Sequence, residues 1–243
     1  TDFIDILADL PDGVSGLSTA RKHAVVMAEN LKAARANDSL FGGSGTPADP
    51  GVLLTPSPGR RARVSVINLA ALTTEDARTN FVNELQMALF AWIKKNPAGD
   101  RPLGGLFVMD EAQNFAPSDR TTACSRSTLA LVSQARKFGL GLVFATQAPK
   151  GIDAKIPGNC ATQFYGMLNS PVHIQAAQEI ARAKGSTIPD VGRLSTGVFY
   201  TALEGHGFTK TRTPLCLSFH PKSPPTEDEV AEIARRGPDT TQV

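Results

Sequence analysis

The stretch LFVMDEAQNFAP, residues 106–117, ends a run of four apolar residues with two adjacent carboxylates, Asp110 and Glu111. The apolar run predicts a buried strand, and burying a carboxylate without a partner is costly. We therefore expect the acidic pair to lie just beyond the end of the strand. In parallel α/β sheets, ligands bind at the carboxyl ends of strands, where loops carry functional residues.

An acidic pair in this position suits the chemistry of a bound nucleotide. One carboxylate can hold Mg²⁺ through its water shell, because magnesium takes a few oxygen ligands together with substrate phosphates. Its neighbour can orient or deprotonate the water that attacks a γ-phosphate. Four apolar residues followed by Asp-Glu form the Walker B arrangement. A strand that merely ends in acidic residues is the competing interpretation, and this short motif alone does not decide between them.

A second strand, predicted within GLGLVFATQAP (residues 139–149), ends in the polar pair Thr146 and Gln147. A glutamine there can hydrogen-bond a γ-phosphate or the attacking water, whereas a buried glutamine that bonds loop backbone is the alternative. The helix before this strand ends in Arg136 and Lys137. An arginine so placed could reach a phosphate across a subunit boundary. It could equally be a surface base favoured at a helix C-terminus.

Strands that alternate with helices of ten or more residues predict an α/β fold, with a mostly parallel sheet covered by helices on both faces. Residues 1–40 are predicted to be helical. Near the C-terminus, GVFYTALEG and TKTRTPLCLSF flank a Gly-His-Gly turn and predict an antiparallel hairpin. Further strands are predicted at 63–69 (RVSVINL), 105–110, 140–146 and 161–168. Further helices are predicted at 125–138, 170–185 and 226–236, and another helix is predicted to begin at Thr74.

Composition narrows the class of protein. The chain has 243 residues, of which 41% are hydrophobic, and a formal charge of +2, which by itself favours neither a nucleic-acid binder nor a membrane binder. Cys124, Cys160 and Cys216 lie far apart without CxxC spacing, which favours free thiols in a reducing compartment. Apolar runs fall short of the roughly 20 residues that span a bilayer, and the acidic first residues do not fit a signal peptide. We expect a soluble cytoplasmic protein.

Taken in order, the DEAQ, RKFG, ATQ and TQ motifs resemble the HerA/FtsK-type P-loop ATPases, especially the HerA and conjugative-secretion branch. In that family a helix ending in RKFG precedes a strand that finishes in ATQ, and a loop then leads to a TQ motif. The corresponding residues here are QARKFG at 134–139, ATQ at 145–147 and PGNCATQFYGML at 157–168. The likeness extends over residues 60–220. It implies a RecA-like core that uses ATP and Mg²⁺.

The resemblance also assigns roles to individual residues. Asp110 would be the magnesium-binding acid, Glu111 the catalytic base, Gln147 the sensor of the γ-phosphate, and Arg136 an arginine finger that acts on a neighbouring subunit. Nucleotide-site residues of less defined role would be Thr146, Lys137, Gln163 and Thr162. The implied assembly is a homo-hexameric ring that moves DNA, or DNA and protein. The protein would contact the DNA backbone, and a nuclease or a secretion protein would be its partner.

Two features depart from the family pattern. Gln113 stands where the family usually has histidine, so the coupling of hydrolysis to movement could differ. The pattern G-x-x-x-x-G-K-[ST] does not occur, although phosphates need that loop's backbone N–H groups and its lysine. We expect these residues to be the C-terminal part of a longer protein whose Walker A loop lies upstream, with a degenerate ATPase as the alternative. In either case the 243 residues alone are expected to hydrolyse ATP poorly.

The expected domains are a helical segment at 1–60, a RecA-like core at 61–222, and a C-terminal helix and tail at 223–243. DEAQ also occurs as motif II of superfamily-one helicases, but the second RecA-like domain and later arginine motifs of that class are not visible. A non-catalytic module that organises oligomers or binds a partner is the alternative from another class. The basic segment 182–222 is a candidate DNA-facing surface.

Overall fold

The computed structural model describes residues 3–37, 48–214 and 223–236. In chain order the helices and strands are α1 (Phe3–Ala8), α2 (Ala20–Asn37), α3 (Pro50–Leu54), α4 (Glu75–Lys95), β1 (Gly105–Met109), α5 (Ser125–Gln134), β2 (Leu140–Phe144), α6 (Lys155–Asn159), β3 (Gln163–Tyr165), α7 (Pro171–Ala183), β4 (Val198–Ala202), β5 (Thr209–Arg212) and α8 (Glu227–Arg236). Short 3₁₀ helices occupy Ala112–Asn114, Ala135–Phe138 and Val191–Arg193. The mixed α/β class predicted from the sequence is confirmed.

The chain divides into two compact units, Thr1–Val66 and Ile67–Val243. In its described residues, 3–37 and 48–66, the first unit contains helices α1, α2 and α3, so the predicted helical N-terminal segment is confirmed there. In α2, Ala24 and Ala28 are buried one turn apart. The side chain of Asp49 caps α3 by accepting a hydrogen bond from the Val52 N–H.

Helix α4 begins where the sequence predicts, because Thr74 accepts the Ala77 N–H through its hydroxyl. One face of the helix is buried, whereas Met87 is 55% exposed, so the helix is not buried on all sides. Its buried face contains a polar contact with α5: Gln86 Nε2 donates to Thr128 Oγ1 at 2.9 Å. Gln86 Oε1 accepts from Ser127 Oγ at 2.7 Å. The buried amide is therefore satisfied at both ends, which spares the cost of an unpaired polar group.

Strands β1 and β2 form a parallel pair in which Met109 stands opposite Phe144. Phe107, Met109 and Phe144 face a core shared with α4 and α5. The opposite face of the pair is exposed at Leu106, Val108 and Val143. The prediction of helices on both faces is therefore not met at this pair within the described residues, because no described helix covers that side.

A second sheet has the order β3-β4-β5 and is antiparallel throughout. The predicted hairpin is confirmed over β4 and β5, with Gly205 at φ 76 in the turn between them, and residues 215–219 of its second predicted strand lie outside the described residues. Its core joins Tyr165 of β3 and Tyr200 of β4 to Ala177 and Ala181 of α7. Burial raises the pKa of Tyr165 to about 12. The described strands are thus one parallel pair and one antiparallel triplet, rather than the mostly parallel sheet expected from the sequence.

The predicted strand RVSVINL, residues 63–69, forms no ladder with any described strand. Val64 and Val66 are each 87% exposed. β-branched residues favour strands because they pack well on a pleated sheet, and that preference has no effect where no neighbouring strand accepts the backbone hydrogen bonds.

The C-terminal helix α8 confirms the prediction at 226–236. Thr226 and Glu229 form a reciprocal cap: the Glu229 carboxylate accepts the Thr226 N–H at 2.7 Å, and the Thr226 hydroxyl accepts the Glu229 N–H at 3.3 Å. Cys216 lies outside the described residues. Within the described ranges, no helix is long and apolar enough to cross a membrane.

Candidate functional site

The carboxyl ends of β1 and β2 lie side by side because the two strands are parallel and in register. Two backbone hydrogen bonds extend this arrangement past the strand ends. The Ala145 N–H donates to the Met109 carbonyl, and the Ala112 N–H donates to the Ala145 carbonyl, each at 2.9 Å. The residues that follow each strand are therefore held at one edge, as the sequence predicts.

The Glu111 carboxylate is the centre of this edge. Gln147 donates its side-chain N–H to Glu111 Oε1, and Gln113 donates its side-chain N–H to Glu111 Oε2. Both carboxylate oxygens thus accept an amide hydrogen, which fixes the plane of the carboxylate. The structure brings together Glu111 and Gln147, the two residues to which the sequence assigns the roles of base and sensor.

The backbone of Glu111 is in the left-handed region, at φ 48 and ψ 44. Among the described residues it is the one non-glycine residue with a positive φ. This conformation costs an L-residue about 1–2 kcal/mol, and such strain is concentrated at functional sites. The 3₁₀ helix Ala112–Asn114 begins directly after Glu111.

Gln113 links Glu111 to the loop after β2. The Thr146 hydroxyl donates to Gln113 Oε1 at 2.5 Å and accepts the Ala148 N–H at 3.0 Å. Thr146 is half-buried, and its hydroxyl is used within the protein. The sequence assigned Thr146 to the nucleotide site and treated Gln113 only as a departure from the family. The one signal for this contact was the presence of polar residues after both strands.

Asp110 is exposed, and its Oδ1 accepts the Glu111 N–H at 3.0 Å. Among the described residues, no hydrogen bond is made to its Oδ2. No group of three or more His, Cys, Asp or Glu residues that could hold a metal ion occurs in the part of the chain that the structure describes. Magnesium is commonly held by one or two carboxylates with phosphate oxygens and water, and a single open carboxylate fits that mode.

The loop between β1 and α5 is hydrogen-bonded to the loop between β2 and α6. The Ser118 N–H donates to the Gly151 carbonyl and the Asp153 N–H donates to the Ala116 carbonyl, each at 2.9 Å. The Phe115 carbonyl accepts the Cys124 thiol at 3.2 Å. Burial raises the pKa of the Cys124 thiol, which keeps it protonated and unreactive. The edge is thus supported by a well-bonded scaffold.

Arg136 and Lys137 lie in the 3₁₀ helix before β2, at the opposite edge of the pair from Glu111. Strand β2 has five residues and separates the two edges by about 16 Å. The Arg136 side chain is 88% exposed, and its guanidinium lies 3.9 Å from the Glu204 carboxylate. An exposed pair at this distance contributes little to stability. The structure does not bring these two bases to the Glu111 edge of their own chain.

Gln163 is also separate from the Glu111 edge. It is 9% exposed in β3, its side-chain N–H donates to the Pro157 carbonyl at 2.8 Å, and its Oε1 is buried without a partner. Thr162, one residue earlier, is exposed. No described hydrogen bond joins either residue to Glu111 or Gln147.

Comparisons with known proteins find partial similarity to two proteins named as helicases. No protein-family model matches it. Over 75 residues, 30% of this chain, it is 32% identical to a protein of Methanocaldococcus jannaschii named as a probable helicase, of which the match spans 15%. Over 98 residues, 39% of this chain, it is 34% identical to the DNA double-strand break repair helicase HerA of Sulfurisphaera tokodaii, of which the match spans 19%. The matches therefore span less than a fifth of each curated relative.

Solved structures of the genome packaging NTPase of Sulfolobus turreted icosahedral virus 2 overlap the chain loosely. The complex with AMP has a TM-score of 0.48 and 15% identity, and covers 82% of this chain and 94% of its own. The complex with AMPPCP has the same TM-score, 14% identity, and coverages of 82% and 95%. Assignment of chemistry therefore depends on the residues of this chain.

Proposed function

We propose that these residues belong to a HerA-type P-loop ATPase, which the partial matches to the two curated relatives support, and that their Glu111 edge is the hydrolytic half of an ATP site. The observation that carries the proposal is the Glu111 carboxylate held between two amides, with the open carboxylate of Asp110 beside it. The full proposal is an ATPase that moves DNA, or DNA and protein, through an oligomeric ring. The HerA relative, named as a DNA repair helicase, supports the DNA part of it.

Each residue of the edge has a distinct task in this proposal. Glu111 orients the attacking water and takes its proton, and Gln147 donates a hydrogen bond to the γ-phosphate or to that water. Asp110 would hold Mg²⁺ through its open oxygen. When bound, the ion neutralises charge on the phosphates. The proposal also requires a phosphate-binding loop, which the pattern G-x-x-x-x-G-K-[ST] marks and these 243 residues do not contain.

Removing the Asp110 carboxylate tests the metal assignment. In the natural protein that contains these residues, we expect Asp110→Asn to raise the Mg²⁺ concentration needed for half-maximal ATP turnover by at least about tenfold, because the amide carries no charge to attract the ion. The measurement is phosphate release against Mg²⁺ concentration, with and without DNA. Asp119→Asn, in the same loop, is the matched control and should leave the Mg²⁺ requirement unchanged.

Three outcomes of that titration are informative. An unchanged Mg²⁺ requirement in Asp110→Asn would contradict the metal role. Turnover that does not respond to DNA would count against the translocase. A wild-type protein without turnover at any Mg²⁺ concentration would favour the alternative, a non-catalytic module that organises oligomers or binds a partner.

We propose Arg136 as a residue that acts on the site of a neighbouring subunit in a homo-hexamer. Its position on the edge opposite Glu111 and its high exposure support a role between subunits. Mixing Arg136→Ala with Glu111→Gln should restore turnover to about a quarter of the wild-type value at equal amounts, because half of the sites then keep Glu111 and half of their neighbours supply Arg136. No recovery in the mixture would rule out a shared site. We assign Lys137 to the same intersubunit contact. We propose that Gln163 acts on the site only indirectly, through its hydrogen bond to the Pro157 carbonyl.

The remaining features of the proposal concern the whole protein. We propose the boundaries 1–60, 61–222 and 223–243 for the helical segment, the RecA-like core and the C-terminal helix and tail. The basic segment 182–222 would contact the DNA backbone, which the salt dependence of DNA binding measures. A nuclease or secretion partner would complete the assembly. Cys124 and Cys160 are free, which favours a reducing compartment such as the cytoplasm.

A further inference from the structure

A continuous chain of hydrogen bonds runs from the loop after β2 to the Glu111 carboxylate. The Ala148 N–H donates to Thr146 Oγ1, and the Thr146 hydroxyl donates to Gln113 Oε1. The Gln113 amide then donates to Glu111 Oε2. We infer that Gln113 is a positioning residue, which transmits the position of the Thr146 loop to the Glu111 carboxylate. The inference rests on the proposed function, because it concerns how the proposed base is oriented.

The direction of every hydrogen bond in this chain is fixed by chemistry. A backbone N–H can only donate, so Thr146 Oγ1 accepts from Ala148 and its own proton is free for Gln113. An ionised carboxylate can only accept, so Gln113 must turn its NH₂ group toward Glu111 and its oxygen toward Thr146. A side chain at position 113 must therefore accept at one end and donate at the other.

Gln113 holds one of the two carboxylate oxygens, and Gln147 holds the other. Gln147 is exposed and is the residue proposed to contact phosphate or water, so it would leave Glu111 when a nucleotide binds. Gln113 is half-buried and attached to Thr146, so it would remain. The Gln113 contact is thus the one that keeps Glu111 aimed at its water during the reaction.

Substitution of Gln113 by glutamate removes the hydrogen bond that positions Glu111 while keeping the volume of the side chain. Gln113→Glu keeps the shape and the acceptor for Thr146, but it cannot donate to Glu111 at neutral pH. We expect kcat for ATP to fall by on the order of 10–100-fold with KM unchanged, as for Gln113→Ala, because a misaligned base slows the chemical step and leaves binding intact. A residue that only fills space would give an active Gln113→Glu and an impaired Gln113→Ala.

Thr146 variants test the link to the loop. Thr146→Val should lower kcat about as much as Gln113→Ala, and Thr146→Ser, which keeps the hydroxyl, should restore most of the turnover. The double variant Gln113→Ala/Thr146→Val should be no slower than Gln113→Ala, since the two residues act in series. Multiplicative effects in the double variant would overturn the relay.

Two further variants keep the inference distinct from the proposed function. Asn114→Ala, in the same 3₁₀ turn and exposed, should leave kcat unchanged. Glu111→Gln tests the base itself. If Glu111→Gln leaves turnover intact, the proposed function fails. If Glu111→Gln is inactive while Gln113→Glu and Thr146→Val match wild type, the base remains assigned and only the relay is wrong.

Discussion

Replacing Glu111 by glutamine is expected to lower ATP turnover by about 10²–10⁴-fold, the usual contribution of a positioned general base. Glutamine retains the shape of the side chain but cannot take a proton from water. Gln113 and Gln147 each donate an N–H to one oxygen of Glu111, so the NH₂ group of the introduced glutamine would face one of these donors and could not accept from it. The measurement is steady-state phosphate release at saturating Mg²⁺ and ATP, in the natural protein that contains these residues.

The affinity for nucleotide distinguishes a lost base from a damaged fold. Glu111→Gln should bind ATP as tightly as wild type, since the base acts on the attacking water. Asp100→Asn, an exposed acid-to-amide change in the loop before β1, is the matched control and should leave turnover unchanged. Turnover close to wild type in Glu111→Gln would contradict the assignment of Glu111 as the base.

The backbone conformation of Glu111 leads to a second prediction, on the stability of variants at this position. Because Glu111 has a φ of 48, glycine at this position should give a more stable protein than alanine, by about 0.5–1 kcal/mol in the free energy of unfolding. The difference reflects the left-handed penalty of alanine, reduced by the extra freedom of glycine in the unfolded chain. Ala88→Gly on the exposed side of α4 is the control and should destabilise by about 1 kcal/mol. If alanine were the more stable residue at position 111, the strain would be absent.

Part of the site could be predicted from the sequence, and part of it could not. Parallel strands end at a common edge, so Glu111 and Gln147 meet for a reason that the apolar runs before them already contain. The left-handed turn at Glu111 and the bridge through Gln113 depend on the geometry of two loops. No periodicity in the sequence encodes that geometry. Gln113 could therefore be identified from the sequence only as a departure from the histidine that is usual in the family.

The errors in the predicted fold have a related cause. Residues 63–69 have the composition of a strand, but a strand also requires a neighbour that accepts its hydrogen bonds, and composition does not identify that neighbour. A strand was predicted at 161–168, and β3 occupies Gln163–Tyr165 within it, although its antiparallel pairing with β4 is a property of the partner. Elements could therefore be predicted from local pattern, while pairing required the whole chain.

The glycine of the RKFG motif has a physical role that the sequence alone did not reveal. Gly139 has a φ of 75 and ends the 3₁₀ helix that carries Arg136. Its carbonyl accepts the Gly104 N–H at 2.7 Å, and the Phe138 carbonyl accepts the Ala98 N–H at 3.0 Å. These contacts join the chain before β1 to the chain before β2 and so support the register of the parallel pair. A Cβ at position 139 would lie 2.2 Å from the Ala98 Cβ.

Gly139→Ala is therefore expected to destabilise the chain by at least about 3 kcal/mol, the sum of a left-handed alanine and an overpacked contact. Urea unfolding measures this loss, and Gly158→Ala is the control, because a Cβ there meets nothing within 4 Å and its φ is not positive. Adding Ala98→Gly should recover the part that comes from the overlap with the Ala98 Cβ and leave the part that comes from φ. A loss for Gly139→Ala no larger than that of the control would mean that Gly139 does not hold the two strands in register. If Ala98→Gly recovered nothing, backbone conformation alone would explain the glycine, and the edge that carries Glu111 would owe its alignment to the contacts beyond the strand ends.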